Sequence, residues 1–419
     1  MRFATLRRSS PDSGAVSDLP ELAVVHDNPG PIEACAKAEV FLFRYVTANE
    51  TGQTGSHQSG LYMPRDSWRM FRTEPGRKGE NSDVWVNIQW AWGETVQSRF
   101  VWYGKGTRSE YRLTNGFSFL QEGNTGDLLV LARTSPDSWR GYLLTTDDET
   151  EDFLNALGLC PDDSGRVHWR GEVESEFEEE IRAWLSTLKG DFPTSDAISA
   201  RARELTRPLL SGRKNLNINL DELILKWIDM EYRIFRIIER ARYEHLLAKP
   251  FTSLDEMLQT ALTILNRRKS RAGYSLELHL CFIFDFLGLS YSFQETTEGT
   301  SRPDFVFPGK IAYSQSGYPS GMLRFLGVKT TCKDRWRQIL SEAERIPRKH
   351  LFTLQQGIST NQLEEMHRAG VVLVVPEPYR NSFPEKFRKS ILSLREFVEE
   401  LSELHSAELS EGGSDYKLF

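Results

Sequence analysis

The stretch from Pro303 to Glu342 constrains this chain most. Pro303-Asp304 opens an apolar run, Phe305-Val306-Phe307, that stops at Pro308. A second run, Met322 to Val328, stops at Lys329. Two short apolar runs of this kind read as adjacent strands. Their ends set a carboxylate beside an ammonium. That pair suits metal-dependent phosphodiester hydrolysis: carboxylate oxygens hold Mg2+, and a lysine orients and activates the attacking water. The general nuclease pattern has a further acid two residues before the lysine, where this chain has Gly327. Glu342 lies thirteen residues after Lys329, on a segment that reads as helix from near Lys333. Packed back on the strands, that helix would return a carboxylate to the metal.

Composition adds bounds but no function. A chain of 419 residues, 39% hydrophobic and 26% charged, predicts two or three ordinary soluble domains. No run approaches the ~18 apolar residues of a membrane span, and the first residues lack a signal-peptide core, so a cytoplasmic protein is expected. Cys35, Cys160, Cys281 and Cys332 form no Cys-x-x-Cys pair and are expected as reduced thiols rather than zinc ligands. The net charge of −7 does not advertise a DNA binder, so any such role must rest on local basic patches.

Taken in order, residues 1–30 read as a mobile tail and Pro31 to Tyr45 as a helix, alone or followed by a strand. A polar, Gly-rich loop, Asn49 to Gly60, precedes a short strand at Leu61. Val84, Val86, Ile88, Trp90 and Trp92 alternate with other residues, the period of a strand. Further strands at Arg99–Tyr103, Leu128–Ala132 and Tyr142–Thr146 argue for a barrel-like all-β domain. Between them, Lys105, Arg108, Glu110 and Arg112 crowd one loop. Arginine and lysine can bridge guanine and glutamate can accept from cytosine; a solvated hairpin tip is the alternative. Six acids in Gly171 to Glu180 read as a linker or a helix start.

From Leu220 the pattern turns helical: Asp221–Leu247, Leu254–Leu265 and Tyr274–Leu287. Arg267, Arg268, Lys269 and Arg271 lie between the last two, as a solvated turn or a phosphate clamp. Glu277 sits among apolar residues and needs a partner. Lys333, Asp334 and Arg335 share a first helical turn, suited to reading G·C pairs in a groove or to capping the helix. Tyr313 offers a phenol nucleophile that a metal–water mechanism does not need. His350–Gln355, Gln362–Ala369, Val371–Val375 and Ser390–Leu404 complete a mixed sheet flanked by helices.

Two long runs carry a resemblance. They are Val328 to Leu340 with the displaced Glu342, and Asn266 to Gly273 followed by Ser275 to Leu280. With the Thr51-Gly52-Gln53-Thr54-Gly55-Ser56-His57-Gln58-Ser59-Gly60-Leu61-Tyr62 loop and the Lys105–Arg112 loop, the chain resembles the EcoRII family of type II restriction endonucleases, from about Glu33 to Leu404. The resemblance implies an amino-terminal pseudobarrel that binds effector DNA (31–170), a linker (171–190), a restriction-endonuclease-like α/β domain (191–405) and a carboxy-terminal tail (406–419). It implies Mg2+ on Asp304 and Glu342, Lys329 as the water-activating residue and Glu277 lining the site. Beside the nuclease motif, the chemistry of the residues themselves favours DNA contacts for Lys333, Asp334 and Arg335, and a phosphate clamp of Arg267, Arg268, Lys269 and Arg271. Effector contacts are implied for His57, Tyr62, Lys105, Arg108, Glu110, Tyr111 and Arg112. Also implied are a CC(A/T)GG-type site, a homodimer, and autoinhibition relieved by a second copy of the site. This chain departs from the pattern at the extra Gly106, at Tyr111 where the family has lysine, and at Leu225–Tyr232, which lacks an arginine run; Trp227 there reads as core. Two other readings stay open at this stage: a DNA-binding regulator without catalysis, and a nuclease confined to modified or branched DNA.

Overall fold

The computed structural model describes residues 29–52, 60–136, 138–172, 177–190, 192–207, 219–247 and 249–411. His57 and nearly all of the expected amino-terminal tail lie outside the described residues.

Two sheets organise the chain. The first contains β1 (Val40–Tyr45), β2 (Leu61–Met63), β3 (Asn81–Trp90), β4 (Thr95–Tyr103), β5 (Glu110–Thr114), β6 (Leu128–Ser135), β7 (Ser138–Leu144) and β8 (Val167–Trp169). Its order is β2-β5-β4-β3-β7-β6-β1-β8. All neighbours are antiparallel except β3 and β7. The alternation read from sequence resolves cleanly in β3: Val86, Ile88 and Trp90 are buried, while Trp85 and Asn87 are exposed. Trp92 lies beyond the strand, where its exposed ring stacks on Trp90. Gly93 turns the chain there with φ +95°, a conformation glycine adopts without steric cost.

Ten helices accompany the sheets among the described residues: α1 (Pro31–Lys37), α2 (Trp68–Phe71), α3 (Asp147–Leu157), α4 (Glu178–Thr187), α5 (Ser195–Leu205), α6 (Leu220–Leu247), α7 (Leu254–Phe286), α8 (Lys310–Ser314), α9 (Thr360–Arg368) and α10 (Leu394–Glu411). The stretch read as a linker contains α4, whose Ile181 and Leu185 pack with Ile198 of α5 and with Ile234 and Ile238 of α6. The backbone helix of α10 likewise carries the chain into the expected carboxy-terminal tail as far as Glu411. No described helix is long and apolar enough to cross a membrane.

The second sheet holds β9 (Ser292–Phe293), β10 (Phe305–Phe307), β11 (Arg324–Lys329), β12 (Lys349–Thr353) and β13 (Val371–Val374), in the order β13-β12-β11-β10-β9. Strands β11, β12 and β13 run parallel, and β9 and β10 are antiparallel additions. Both faces are covered, which is why these strands read as continuous apolar runs. Phe305, Leu326 and Phe352 meet Leu280 and Phe284 of α7 and Phe397 of α10 on one face. Val306, Phe325 and Leu351 meet Trp336, Ile339 and Leu363 on the other.

One expectation fails at α7. Sequence reading placed a break between Leu265 and Tyr274, but one helix of 33 residues runs through it. Gly273 costs roughly 1 kcal/mol inside a helix, and it is tolerated because the apolar face from Leu276 to Phe284 is buried against the sheet.

Candidate active site

The antiparallel register of β10 and β11 fixes the first two groups. Phe305 pairs with Leu326, so Asp304 arrives beside the end of β11, and one of its carboxylate oxygens accepts the Val328 N–H at 2.7 Å. Lys329 closes β11. Glu277 reaches the same place from α7, held by Gln294 Nε2, which donates to its Oε2 at 2.8 Å. Gln294 has φ +50°, and its own N–H donates to the Asp304 carbonyl at 3.1 Å. No motif marked Gln294; only the requirement that Glu277 find a partner pointed toward such a residue.

Glu342 completes the group from a 3-10 turn, Arg335–Ser341, rather than from the α-helix the sequence suggested. The turn also explains the missing acid. A side chain at Gly327 would begin 2.9 Å from Ile339 Cγ2 and 3.2 Å from the Phe325 ring. Ile339 occupies the space that an acid two residues before Lys329 would need, and the turn that carries Ile339 brings Glu342 instead.

Asp304 and Lys329 act electrostatically on both of the other acids. Burial, then the Asp304 charge, pushes Glu277 up to about 8, against Lys329. The same two causes push Glu342 up to about 7, against Lys329 and Lys349. Burial raises Asp304, which Lys329 and the Val328 N–H oppose. Crowded, desolvated carboxylates beside one ammonium form a site that gains by binding a cation. Among the described residues no three His, Cys, Asp or Glu side chains surround an ion by themselves. Magnesium does not require that, since it takes one or two carboxylates and fills its shell with water and phosphate oxygens. Asp304 and Glu342 fit that donor set.

The other expected residues are dispersed. Tyr313 is buried, its hydroxyl bonded to Glu298 and accepting the Arg345 N–H at 3.2 Å, so it braces a loop. Arg271 is only 3% exposed, stacked on Tyr232 at 3.7 Å and facing buried Glu231 at 4.0 Å. It belongs to the packing of α6 and α7, which corrects the phosphate-clamp expectation there. Arg267 lies over Phe192 at 4.2 Å and bonds the Tyr243 hydroxyl. Arg268 pairs with Glu239 at 2.5 Å, and Lys269 with Asp152 of α3 at 2.7 Å. On the first sheet, exposed Tyr62 pairs across strands with Arg112, which bonds Glu110 at 3.0 Å. The Arg108 guanidinium lies 5.7 Å above the Tyr103 ring, and Lys105 is exposed. Tyr111 departs from its expected role: it is buried against Phe100 and Trp102.

Lys333 and Arg335 are half-buried, and Asp334, though exposed, is bonded to α3. Thr146 caps α3, with Glu149 closing the capping box, and this presents Asp147 at the helix start. Asp147 accepts the N–H groups of Lys333, Asp334 and Arg335 at 3.0, 2.8 and 2.9 Å, and returns its own N–H to Asp334 Oδ1 at 3.1 Å. Arg335 pairs with Asp148 and with Glu151 at 2.6 Å, and Lys333 with Asp127. A cavity remains beside this contact, lined by Asp148, Glu151, Asp152, Lys269, Thr330 and Arg335.

Comparison with known proteins places this arrangement. Residues 35–147 match the model of the amino-terminal domain of restriction endonuclease EcoRII, and residues 235–398 match that of the EcoRII carboxy-terminal domain. The type II restriction enzyme EcoRII of Escherichia coli is 33% identical over 399 residues, 89% of this chain and 96% of that enzyme. The type II restriction enzyme SsoII of Shigella sonnei is 27% identical over 154 residues, 34% of this chain and 49% of that enzyme. Metal-depleted Ecl18kI in complex with uncleaved DNA aligns with a TM-score of 0.44 at 20% identity, covering 59% of this chain and 88% of that one. With both domain models matched in order, and a relative covered along nearly its whole length, the chain belongs to the EcoRII family of type II restriction enzymes and is a site-specific deoxyribonuclease.

Proposed function

We propose that the chain cuts duplex DNA with Mg2+ held by Asp304 and Glu342, at a CC(A/T)GG-type site, before the first C. The convergence of Asp304, Lys329, Glu277 and Glu342 at the end of β11 carries this reading. Bound there, the ion would polarise the phosphoryl oxygens and lower the pKa of a coordinated water. Asp304, tied to the Val328 N–H, keeps its carboxylate oriented as a ligand. Lys329 holds the attacking water and offsets the negative charge of the crowded acids. Glu277, held by Gln294, supports the inner edge of the site. Asp304→Ala, Lys329→Ala and Glu342→Ala are each expected to abolish plasmid cleavage while leaving duplex binding in Ca2+ intact. If Glu342→Ala cuts near the wild-type rate, the ligand assignment is wrong.

Regulation is the second part of the proposal. The eight-stranded sheet serves as the effector-binding pseudobarrel, with Tyr62, Lys105, Arg108, Glu110 and Arg112 at its DNA surface. The acids of α3 and Asp127 occupy the groups that would otherwise read the outer G·C pairs, so the enzyme rests in an autoinhibited state. A homodimer in the cytoplasm, acting on two or more copies of the site, completes the reading. The face of α7 carrying Leu254, Met257, Leu258 and Leu262, between 40% and 66% exposed, supports the dimer: it is amphipathic and uncovered.

A further inference from the structure

Glu342 is the one acid of the site carried by neither an α-helix nor the end of a strand. It follows a 3-10 turn as its C-cap, and the next residue, Ala343, is fully buried with φ +45°. A non-glycine residue in the left-handed region persists only where its surroundings hold it there. Two clamps do so. Arg345 donates to the carbonyl oxygens of Tyr313 and Tyr318, and to that of Gln315 at 2.8 Å. Lys349, at the start of β12, donates to the carbonyl of Glu342 and to that of Ala343 at 2.6 Å.

Lys349 is 4% exposed and lies against the Phe325 ring. An aliphatic side chain would fill that space without burying a charge, which is costly. What an aliphatic chain cannot do is grip the carbonyls on both sides of the Ala343 peptide unit. Burial lowers the pKa of this ammonium, and Glu298, Glu342 and Glu344 oppose that by favouring its charged form.

We propose that Lys349 is a positioning residue for metal binding, fixing the turn so that the Glu342 carboxylate stands ready to share an ion with Asp304. The inference rests on the reading of Asp304 and Glu342 as the metal ligands. Lys349 touches neither the ion nor the DNA. Its effect is that of an outer partner holding a ligand, and loss of such partners typically weakens metal binding about 10–100-fold.

The test measures metal binding without turnover. Full-length protein is bound to a short cognate duplex, and Ca2+, a hard-oxygen surrogate for Mg2+, is titrated calorimetrically. Lys349→Met is expected to weaken Ca2+ binding at least about 10-fold, with duplex affinity in chelator unchanged. Lys349→Gln, whose amide is too short to reach both carbonyls, should behave alike and serves if the Met variant does not fold. Lys349→Arg, which keeps the donors, should restore most of the affinity. A folded Met or Gln variant that binds Ca2+ within about twofold of wild type, while Glu342→Ala loses it, overturns the role of Lys349 alone. If Glu342→Ala itself binds Ca2+ like wild type, the ligand reading falls and takes this inference with it.

Discussion

At the scale of single residues, Glu277 makes the site's tension measurable. Sequence reading saw a carboxylate among apolar neighbours and required a partner for it. Gln294 was not legible, because its role depends on a left-handed backbone at the end of β9 that no residue pattern announces. Gln294 supplies an N–H but no charge, so burial still raises Glu277 to about 8. The sign of the consequence follows. The folded metal-free protein keeps a proton that the unfolded chain gives up near the ordinary glutamate value. That contribution is complete below about pH 4.5 and is lost as pH rises through about 8. Glu277→Gln has no proton to lose. It should therefore already be more stable than wild type at pH 6, and the margin should widen by on the order of 2 kcal/mol by pH 8. Scanning calorimetry in chelator checks this; a difference that shrinks between pH 6 and pH 8 would show that Glu277 is already ionised in the folded site. Metal binding should follow the same logic through Glu342: apparent affinity rises with pH up to about 7, because the carboxylate must shed its proton to bind.

At the scale of elements, the strands were legible and the turns between them were not. Apolar runs bounded by Pro and Gly gave β10 and β11 to within a residue or two, since both are buried on each face. The segment after Lys333 has good helix formers but adopts a 3-10 turn, because Trp336 and Ile339 must both reach the sheet within one short span. The break placed before Tyr274 failed for the opposite reason: charged residues interrupted the apolar period, but long-range packing of the helix end decided the matter. The displaced acid then has a steric cause, and it can be tested. Gly327→Asp would complete the general nuclease pattern on paper, yet its side chain meets Ile339 at once. It should destabilise the protein by about 1–3 kcal/mol, as overpacked cores do. In a Glu342→Ala background it should leave cleavage abolished. Recovery of plasmid cutting in the double variant would show that the Ile339 turn does not determine where the acid sits.

At the scale of the whole molecule, the proposed autoinhibition turns on the contact between α3 and the segment from Lys333 to Arg335. Asp147 satisfies three consecutive backbone N–H groups there, and Asp148, Glu151 and Asp127 take the two cationic side chains. In the proposed reading these are the groups that DNA needs, so acid and DNA would compete for one surface. Effector DNA can relieve the block only by binding the open form better than the closed one. Three outcomes are expected. Full-length protein cuts DNA with a single site slowly, and a short cognate duplex added in trans speeds it. Asp147→Ala, which strands the three N–H groups in the closed form alone, raises single-site cutting at least about 10-fold without the duplex, equivalent to ~1.4 kcal/mol of bias. A fragment lacking the first sheet cuts single-site DNA fully and ignores the duplex. That fragment should begin near Phe177 and not at Asp191, since a later start removes α4 and exposes the faces of α5 and α6 that Ile181 and Leu185 cover. The closed contact is partly ionic, so added salt should raise the basal rate of the full chain before it weakens DNA binding by the fragment. Equal rates for full chain and fragment on single-site DNA would remove autoinhibition from the account and leave the nuclease chemistry standing; a fast fragment with an unchanged Asp147→Ala would place the block elsewhere on the contact, with Lys333 and Asp127 the next pair to separate.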